Sequence, residues 1–272
     1  MQRVHAKKSL GQHFLTDLNI AQRIADSIFA SAEKNNIPAA EKEHIKVLEI
    51  GPGMGVLTQY LLENPRIDLT AIEIDRESVR YLKEHYPKLN LIEGDFLKKD
   101  LHELYHEDKF CIIGNYPYNI SSQIFFKVLE YKEYVTTCSG MIQKEVAERI
   151  VSTPGKKAYG ILSVLLQAWY DIEYLFTVDN NVFNPPPKVK SAVIRLHRNK
   201  RTELGCDDKL FKTIVKSAFN KRRKQLKNSL HEFLDGLSTE DDNLKELLTK
   251  RPEQLSVEEF INLTKLLQSC QN

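Results

Sequence analysis

The sequence predicts an α/β protein, with a mostly parallel sheet, a final antiparallel strand and a smaller all-helical domain at its C-terminal end. Three observations carry that prediction. Between residues 46 and 145, short apolar runs alternate with amphipathic stretches. A strand, a helix and another strand in succession need a crossover that leaves the two strands parallel. The last two strand candidates, "DIEYLFTV" (171–178) and "SAVIRLHR" (191–198), are joined by "DNNVFNPPPKVK". That loop has no room for a helix, so the pair turns back antiparallel and closes the sheet at one edge. Beyond about residue 200 the strand pattern stops and only helical spacing remains. The 272 residues allow one large domain or two smaller ones. The change of pattern divides them into 1–199 and 200–272.

Each element has its own signal. Over 17–34, Leu18, Ile20, Ala21, Ile24, Ile28 and Phe29 recur at helical spacing. Strand candidates follow as "KVLEIGPG" (46–53), "DLTAIEID" (68–75), "LNLIEGD" (89–95), "KFCIIGN" (109–115) and "CSGMIQKE" (138–145). "RESVRYLKEHY" (76–86) and "SSQIFFKVLEYK" (121–132) read as helices between them. Pro185, Pro186 and Pro187 stand in succession and cannot lie inside a central strand, which marks a loop. In the C-terminal part, Leu210, Phe211, Ile214, Val215, Ala218 and Phe219 share one helix face. Leu226, Leu230, Phe233 and Leu234 do the same in "RRKQLKNSLHEFL". Ser256 and Glu259 have the spacing of a capping box that opens a last helix.

Composition narrows the function classes. Net charge is only +2, so any nucleic-acid surface is a local patch rather than a global field. Cys111, Cys138, Cys206 and Cys270 are far apart and form no C-x-x-C pair. Such thiols fit a reducing compartment and offer no metal-ligand spacing, so no metal is expected. No run approaches the ~20 apolar residues of a membrane span, and the N-terminus lacks a signal-peptide core. Cytoplasmic residence without a membrane is the expectation.

The chemistry gathers at strand ends. "EIGPGMG" places Gly51, Gly53 and Gly55 on the first strand-to-helix turn, where backbone can approach a ligand closely. About 20 residues on, "AIEID" puts Glu73 at the end of the second strand, placed to accept hydrogen bonds from a ribose diol. Asp75 is the alternative, two residues further on. The glycines alternate as G-P-G-x-G, not G-x-G-x-x-G, which favours a nucleoside over a dinucleotide. The third strand ends in "EGD". Asp95 can receive an adenine's exocyclic amine, with Phe96 as an apolar wall. These groups share the carboxyl edge of the sheet, where open α/β sheets bind ligands.

The fourth strand ends in "GNYPYNIS" (114–121), with an amide, a proline and two aromatics in place of ordinary turn residues. "GNYPY" resembles the N-x-P-Y motif of amino methyltransferases that use S-adenosylmethionine. To it are added "KKSLGQHFL" (7–15), "LEIGPGMG", "GDFL", "QKEVAERI" (143–150), "VFNPPPKVKSAVIRL" (182–196) and "AFNKRRKQLKNSL" (218–230). With these the chain resembles, nearly end to end, the small-subunit ribosomal RNA adenine N6,N6-dimethyltransferases.

The resemblance implies a Rossmann-like class I methyltransferase fold and S-adenosylmethionine as cofactor. It implies that Asn115 and the backbone around Tyr116–Pro117 accept the two hydrogens of the target amine. The lone pair is then localised for in-line displacement. Pro117 stiffens the loop. Tyr118 stacks on a flipped adenine, and Phe183 forms the second wall. His13 and Leu15 lie at the methionine end of a cofactor site that also includes Gly51, Gly53, Glu73, Asp95, Phe96 and Asn115. His13 and Tyr116 depart from the commoner Asn and aliphatic residue. The implied substrate is a pair of adjacent adenosines near the 3′ end of small-subunit RNA in an assembling 30S-type particle, which receives four methyl groups in all.

Basic residues fit that substrate. Lys216, Lys221, Arg222, Arg223, Lys224 and Lys227 occur without an intervening acid, and Lys221, Arg222 and Arg223 are candidate RNA contacts. Lys7, Lys8, Lys156, Lys157, Lys188 and Lys190 are further candidates in loops. Three other readings compete. Large-subunit methyltransferases of the macrolide-resistance type share the N-x-P-Y core, but the long "FNPPPKV" loop and "FNKRRKQLKNSL" favour the small-subunit enzyme. A DNA adenine methyltransferase would need a duplex-reading module, which the sequence lacks. A non-catalytic assembly factor would not need Gly51, Glu73, Asp95, Asn115 and Tyr118 intact. Nothing signals an oligomer, so a monomer is expected.

Overall fold

The computed structural model describes residues 4–29, 44–235 and 241–270. A two-residue strand, β1 (Phe14–Leu15), precedes α1 (Leu18–Asp26). Asp17 starts α1 by accepting the Ile20 N–H at 3.0 Å, and Ala21, Ile24 and Ala25 form its buried face. The helical pattern over 17–34 is realised to Asp26, with a turn to Phe29. Residues 30–34 lie outside the described residues.

The sheet then builds through β2 (Ile45–Ile50), α2 (Thr58–Glu63), β3 (Ile67–Glu73), α3 (Arg76–His85), β4 (Asn90–Glu93), α4 (His102–Tyr105) and β5 (Phe110–Asn115). It continues with α5 (Ser121–Glu130), β6 (Val135–Gln143), α6 (Lys144–Ile150), α7 (Ile161–Gln167) and β7 (Tyr170–Val178). The short β8 (Phe183–Asn184) and then β9 (Ser191–Arg198) follow. The seven-stranded order is β4-β3-β2-β5-β6-β9-β7, while β1 pairs with β8 in a separate antiparallel ribbon. β2 pairs in parallel with β3 and β5, β3 with β4, and β5 with β6. β9 runs antiparallel to β6 and lies between β6 and β7, so β7 is the edge strand. The mostly parallel sheet with a late antiparallel strand is as expected.

Covered on both faces, the central strands are apolar runs rather than alternating ones. Val47, Leu48, Ile112 and Ile113 have no solvent exposure. The chain leaves β2 toward β3 and β4, then returns to β5 on the other side. That reversal opens a crevice beyond the carboxyl ends of β2 and β5.

The chain divides into two compact units. One holds the described residues up to Ala147 together with Ile172–Arg198, and the other holds Glu148–Asp171 with the chain from Asn199 onward. A single cut at 199/200 therefore misplaces 148–171. That segment packs with the C-terminal helices through Tyr159 on Phe219 and Phe219 on Phe260, with ring centroids 6.2 and 5.8 Å apart. The Gly155 N–H also reaches the Glu253 carbonyl at 2.7 Å.

In this second unit α8 (Asp208–Asn220) is capped by Asp207 and buries Phe211, Ile214, Val215 and Ala218. "RRKQLKNSLHEFL" forms no continuous helix. It gives one-turn helices α9 (Leu226–Ser229) and α10 (His231–Leu234), parted at Leu230, whose backbone (φ −111°, ψ 17°) leaves helical geometry. α11 (Asp242–Thr249) is capped by Asp241. α12 (Val257–Ser269) opens on the expected box, with Glu259 N to Ser256 Oγ at 3.2 Å and Ser256 N to Glu259 Oε2 at 2.8 Å.

Candidate active site

Gly51, Gly53, Glu73, Asp95, Phe96, Asn115, Pro117, Tyr118, His13 and Leu15 all line one cleft at the carboxyl ends of β2 to β5. Gly51 has φ +64°, and a Cβ built there meets nothing within 4 Å, because it would enter the cleft. The turn is thus left-handed and open on its ligand side.

Glu73 ends β3 and is 4% exposed. Its Oε2 accepts the Gly53 N–H at 3.0 Å and its Oε1 accepts the Asp75 N–H at 2.8 Å. Burial pushes this carboxyl above its usual range, and those N–H groups pull the other way. The carboxylate is thereby held in one orientation at the strand end. Asp95 stands two residues beyond the end of β4, half-buried, and its Oδ1 accepts the Leu97 N–H at 2.9 Å. Phe96 is buried beside it, with the Lys127 ammonium 5.4 Å from the ring centroid. An open turn, an oriented carboxylate, an acidic strand end and an apolar wall suit the parts of a nucleoside.

Asp75 has a different task. It caps α3 through the Glu77 N–H at 3.2 Å. It also forms an ion pair with Lys7 and accepts from Gln12 Nε2 at 3.1 Å. Burial alone would raise this carboxyl; Lys7, Gln12 and the Glu77 N–H outweigh it and hold it below its usual value. Asp75 therefore fastens the N-terminal segment to the β3 end of the cleft. Sequence spacing carries no signal for that contact, which joins residues distant in the chain.

Glu49 is a second residue that sequence reasoning missed. It is 1% exposed, lines the cleft and accepts from Thr58 Oγ1 at 2.7 Å. Burial is the main cause that raises its carboxyl to about 8.

At the end of β5 the Asn115 amide donates to the His13 carbonyl at 3.1 Å. That fixes its orientation and leaves Oδ1 as the acceptor. The Pro117 carbonyl already takes the Ile120 N–H at 3.2 Å, whereas no donor reaches the Tyr116 carbonyl among the described residues. The backbone acceptor next to Asn115 Oδ1 is therefore Tyr116 O.

The side chain of Tyr116 turns away from the cleft and is 1% exposed. Its hydroxyl donates to Ser139 O at 2.8 Å and its ring meets Phe125 edge-on. Gly114 and Gly140 make room for it: a Cβ on either would lie 2.9 or 2.6 Å from ring carbons. The unusual residue is thus a core anchor placed between Asn115 and Pro117.

Tyr118 remains half-buried at the cleft, its hydroxyl paired with Ser191 Oγ. Burial raises its phenol, so the ring stays neutral. The His13 ring stacks on it at 5.4 Å and 29°, and His13 Nδ1 lies 2.8 Å from the Pro185 carbonyl. His13 thus faces the Tyr118 side as well as the glycine loop. Phe183 is not among the residues that line this cleft. It pairs with Leu15 across the β1–β8 ribbon, is 4% exposed and packs in the core. Strand alternation sends Asn184 outward instead. The signal missed was a two-residue strand, too short to show periodicity.

Of the basic candidates, Lys221 and Arg223 are exposed, while Arg222 is half-buried, 3.3 Å from the Lys156 carbonyl and 3.9 Å from Glu253. Lys156 and Lys157 lie in the second unit, with the helices. Among the described residues no cluster of three or more metal-ligating side chains occurs, and no helix is long and apolar enough to cross a membrane.

Comparison with known proteins finds relatives over nearly the full chain. The protein named "Ribosomal RNA small subunit methyltransferase A" in Parabacteroides distasonis is 59% identical, covering 98% of this chain and 96% of the relative. Its namesake in Porphyromonas gingivalis is 58% identical, covering 98% and 100%. A crystal structure of a dimethyladenosine transferase from Plasmodium falciparum shares the fold, with TM-score 0.73 at 24% identity over 95% of this chain and 98% of that one. The structure of 23S rRNA methyltransferase ErmE has TM-score 0.61 at 26% identity over 93% and 99%. The family model described as "Ribosomal RNA adenine dimethylase" matches residues 3–269, and the chain belongs to that family.

Proposed function

We propose that this protein transfers methyl groups to the N6 amines of two adjacent adenosines near the 3′ end of small-subunit ribosomal RNA, dimethylating each. The methyl donor is S-adenosylmethionine, which when bound supplies an activated methyl on a sulfonium. Gly51 leaves room for it, Gly53 orients Glu73 through its N–H, Glu73 takes its ribose hydroxyls, Asp95 and Phe96 hold its adenine, and His13 and Leu15 close the opposite end.

The observation that carries the chemistry is the tether on Asn115. An adenine amine is a poor nucleophile because its lone pair is delocalised into the ring. With Nδ2 held by the His13 carbonyl, Asn115 Oδ1 can only accept, and Tyr116 O is a second acceptor beside it. Two acceptors draw both N–H bonds out of conjugation and direct the lone pair toward the donor. No strong base is needed, since the methylated amine is cationic and acidic and gives its proton to water after the methyl arrives and the neutral thioether leaves. Tyr118 offers a neutral aromatic face on which an unstacked base is held.

The target RNA follows from the near full-length likeness to relatives named for the small subunit. Exposed Lys221 and Arg223 support a phosphate contact by the second unit. A partly assembled 30S-type particle as substrate, a monomeric enzyme and cytoplasmic residence complete the reading. The test is to incubate the protein with methyl-labelled cofactor and undermethylated small subunits, then map the label. Two dimethylated adenosines near the 3′ end are expected; label in large-subunit RNA, or none, refutes it.

A further inference from the structure

A second cleft adjoins the target pocket and shares Gly11, Gln12, His13 and Tyr118 with it. Its outer wall is the proline loop with Lys188 and Val189, its inner wall includes Gln143, and Lys8 stands at its rim. No carboxylate lines it. Lys7 is committed to Asp75 and Glu77, and Lys190 to Asp179 at 2.6 Å. Lys8 and Lys188, by contrast, are exposed and have no acidic partner among the described residues. Val189 is 46% exposed and Pro186 is also exposed, so an apolar wall is offered to solvent.

This wall is held in place before any ligand arrives. The β1–β8 pairing, the His13 contact with Pro185 and a bond from Asn180 Nδ2 to Pro187 O at 3.1 Å fix the loop. Gln12 is occupied, donating to Asp75 and accepting the Lys7 N–H at 2.8 Å. The Gln143 amide is engaged by none of the described residues and is available to a base edge.

Flat apolar walls, a free amide, two uncommitted cations and no anion are the complement of one nucleotide. We infer that this cleft is a second nucleotide subsite, which holds the nucleotide joined to the target adenosine while the target base lies against Tyr118. The inference rests on the reading of the target pocket given above. It gives the pair of adjacent targets a physical basis. When one adenosine is in the target pocket, its neighbour occupies the subsite, and prolines with Val189 accept a base whose amine has become apolar by dimethylation.

The test is direct binding of the full chain, with S-adenosylhomocysteine present, to a fluorescent single-stranded oligoribonucleotide with two adjacent adenosines. A second oligonucleotide has one of the two made abasic. Removing that base should weaken binding about 5- to 150-fold, the range expected for one stacked base. Combining Gln143→Ala with Val189→Asp should shrink this penalty, because the contacts are already lost. Combining Lys8→Ala with Lys188→Ala should make the slope of log affinity against log salt shallower by about 1.4, at ~0.7 per phosphate contact on a single strand. Equal wild-type binding of both oligonucleotides, or an unchanged salt slope in the lysine variant, overturns the subsite. These readouts need no turnover. Absence of the abasic penalty in the wild-type chain, with normal methylation, defeats the subsite alone, and binding as expected without methylation of small subunits defeats the proposed function alone.

Discussion

Replacing Tyr116 tests whether the loop of Asn115, Pro117 and Tyr118 is held from inside the core. The Tyr116→Phe variant removes one buried hydroxyl that donates to Ser139 O at 2.8 Å and lies 3.3 Å from Cys138 Sγ. Loss of such a bond, with its acceptor left buried, costs about 1–2 kcal/mol. Tyr116→Leu removes the ring as well. Truncating a buried aromatic to alanine costs ~3–5 kcal/mol, and leucine refills part of the space, so about 2–3 kcal/mol is expected. For a unit of this size each kcal/mol lowers the thermal midpoint by roughly 2–4 °C. The expected falls are therefore about 2–8 °C for Phe and about 4–12 °C for Leu. Asn115 and Pro117 flank the anchor, and a displacement near 1 Å can slow transfer ~100-fold. Single-turnover methylation at saturating cofactor should thus fall roughly 10- to 100-fold in the Leu variant and only a few-fold in Phe. Gly140→Ala should not rescue the Leu variant by filling the gap, because its Cβ would also meet the Gly114 carbonyl at 2.5 Å. A Leu variant with wild-type midpoint and rate refutes the anchor.

Three further outcomes follow from the site. Asn115→Ala should reduce transfer about 10²- to 10³-fold, as for loss of one oriented polar group at a reacting centre; equilibrium dialysis should show cofactor affinity little changed, and an equal loss of affinity contradicts the role. Glu49 ionises near 4.5 when unfolded and about 8 when folded, so between those values the folded state keeps a proton that the unfolded state has lost, and stability declines as pH rises. Glu49→Gln should flatten that decline in urea midpoints, and an unaltered pH profile would show that Glu49 is not its source. Asp75→Asn keeps a capping side chain for α3 but removes the anion that holds Lys7. Affinity for S-adenosylhomocysteine should drop several-fold with little change in thermal midpoint; unchanged affinity would detach the N-terminal segment from cofactor binding.

Parallel topology made much of this site legible in the sequence. Crossover connections bring every parallel strand out at the same edge, so Gly51, Glu73, Asp95 and Asn115 had to converge once four strand ends were identified. Contacts between distant segments were not legible. Nothing in the spacing of Lys7 and Gln12 pairs them with Asp75, and the room for Tyr116 is made by Gly114 and Gly140 on two different strands. Phe183 shows a third limit. Its side is set by a two-residue ribbon with Leu15, and periodicity cannot be read from two residues. The run "ILSVLLQ" shows a fourth. It is apolar nearly all round and buried as α7, so its partner, the helical unit, could not be inferred from a polar face.

The N-terminal segment gains its meaning from these distant contacts. Glu73 receives the Asp75 N–H, and the Asp75 carboxylate in turn holds Lys7 and Gln12. Next to Gln12, His13 gives its carbonyl to Asn115 and its ring to Tyr118, and its Nδ1 meets the Pro185 carbonyl. One continuous series of bonds therefore runs from the residue suited to the ribose to the residues suited to the target amine. It passes through a segment that belongs to neither strand end. This arrangement explains why a histidine can stand at position 13. The Asn115 tether uses the main-chain carbonyl, which any residue supplies, so the side chain is free to serve Tyr118 and the proline loop.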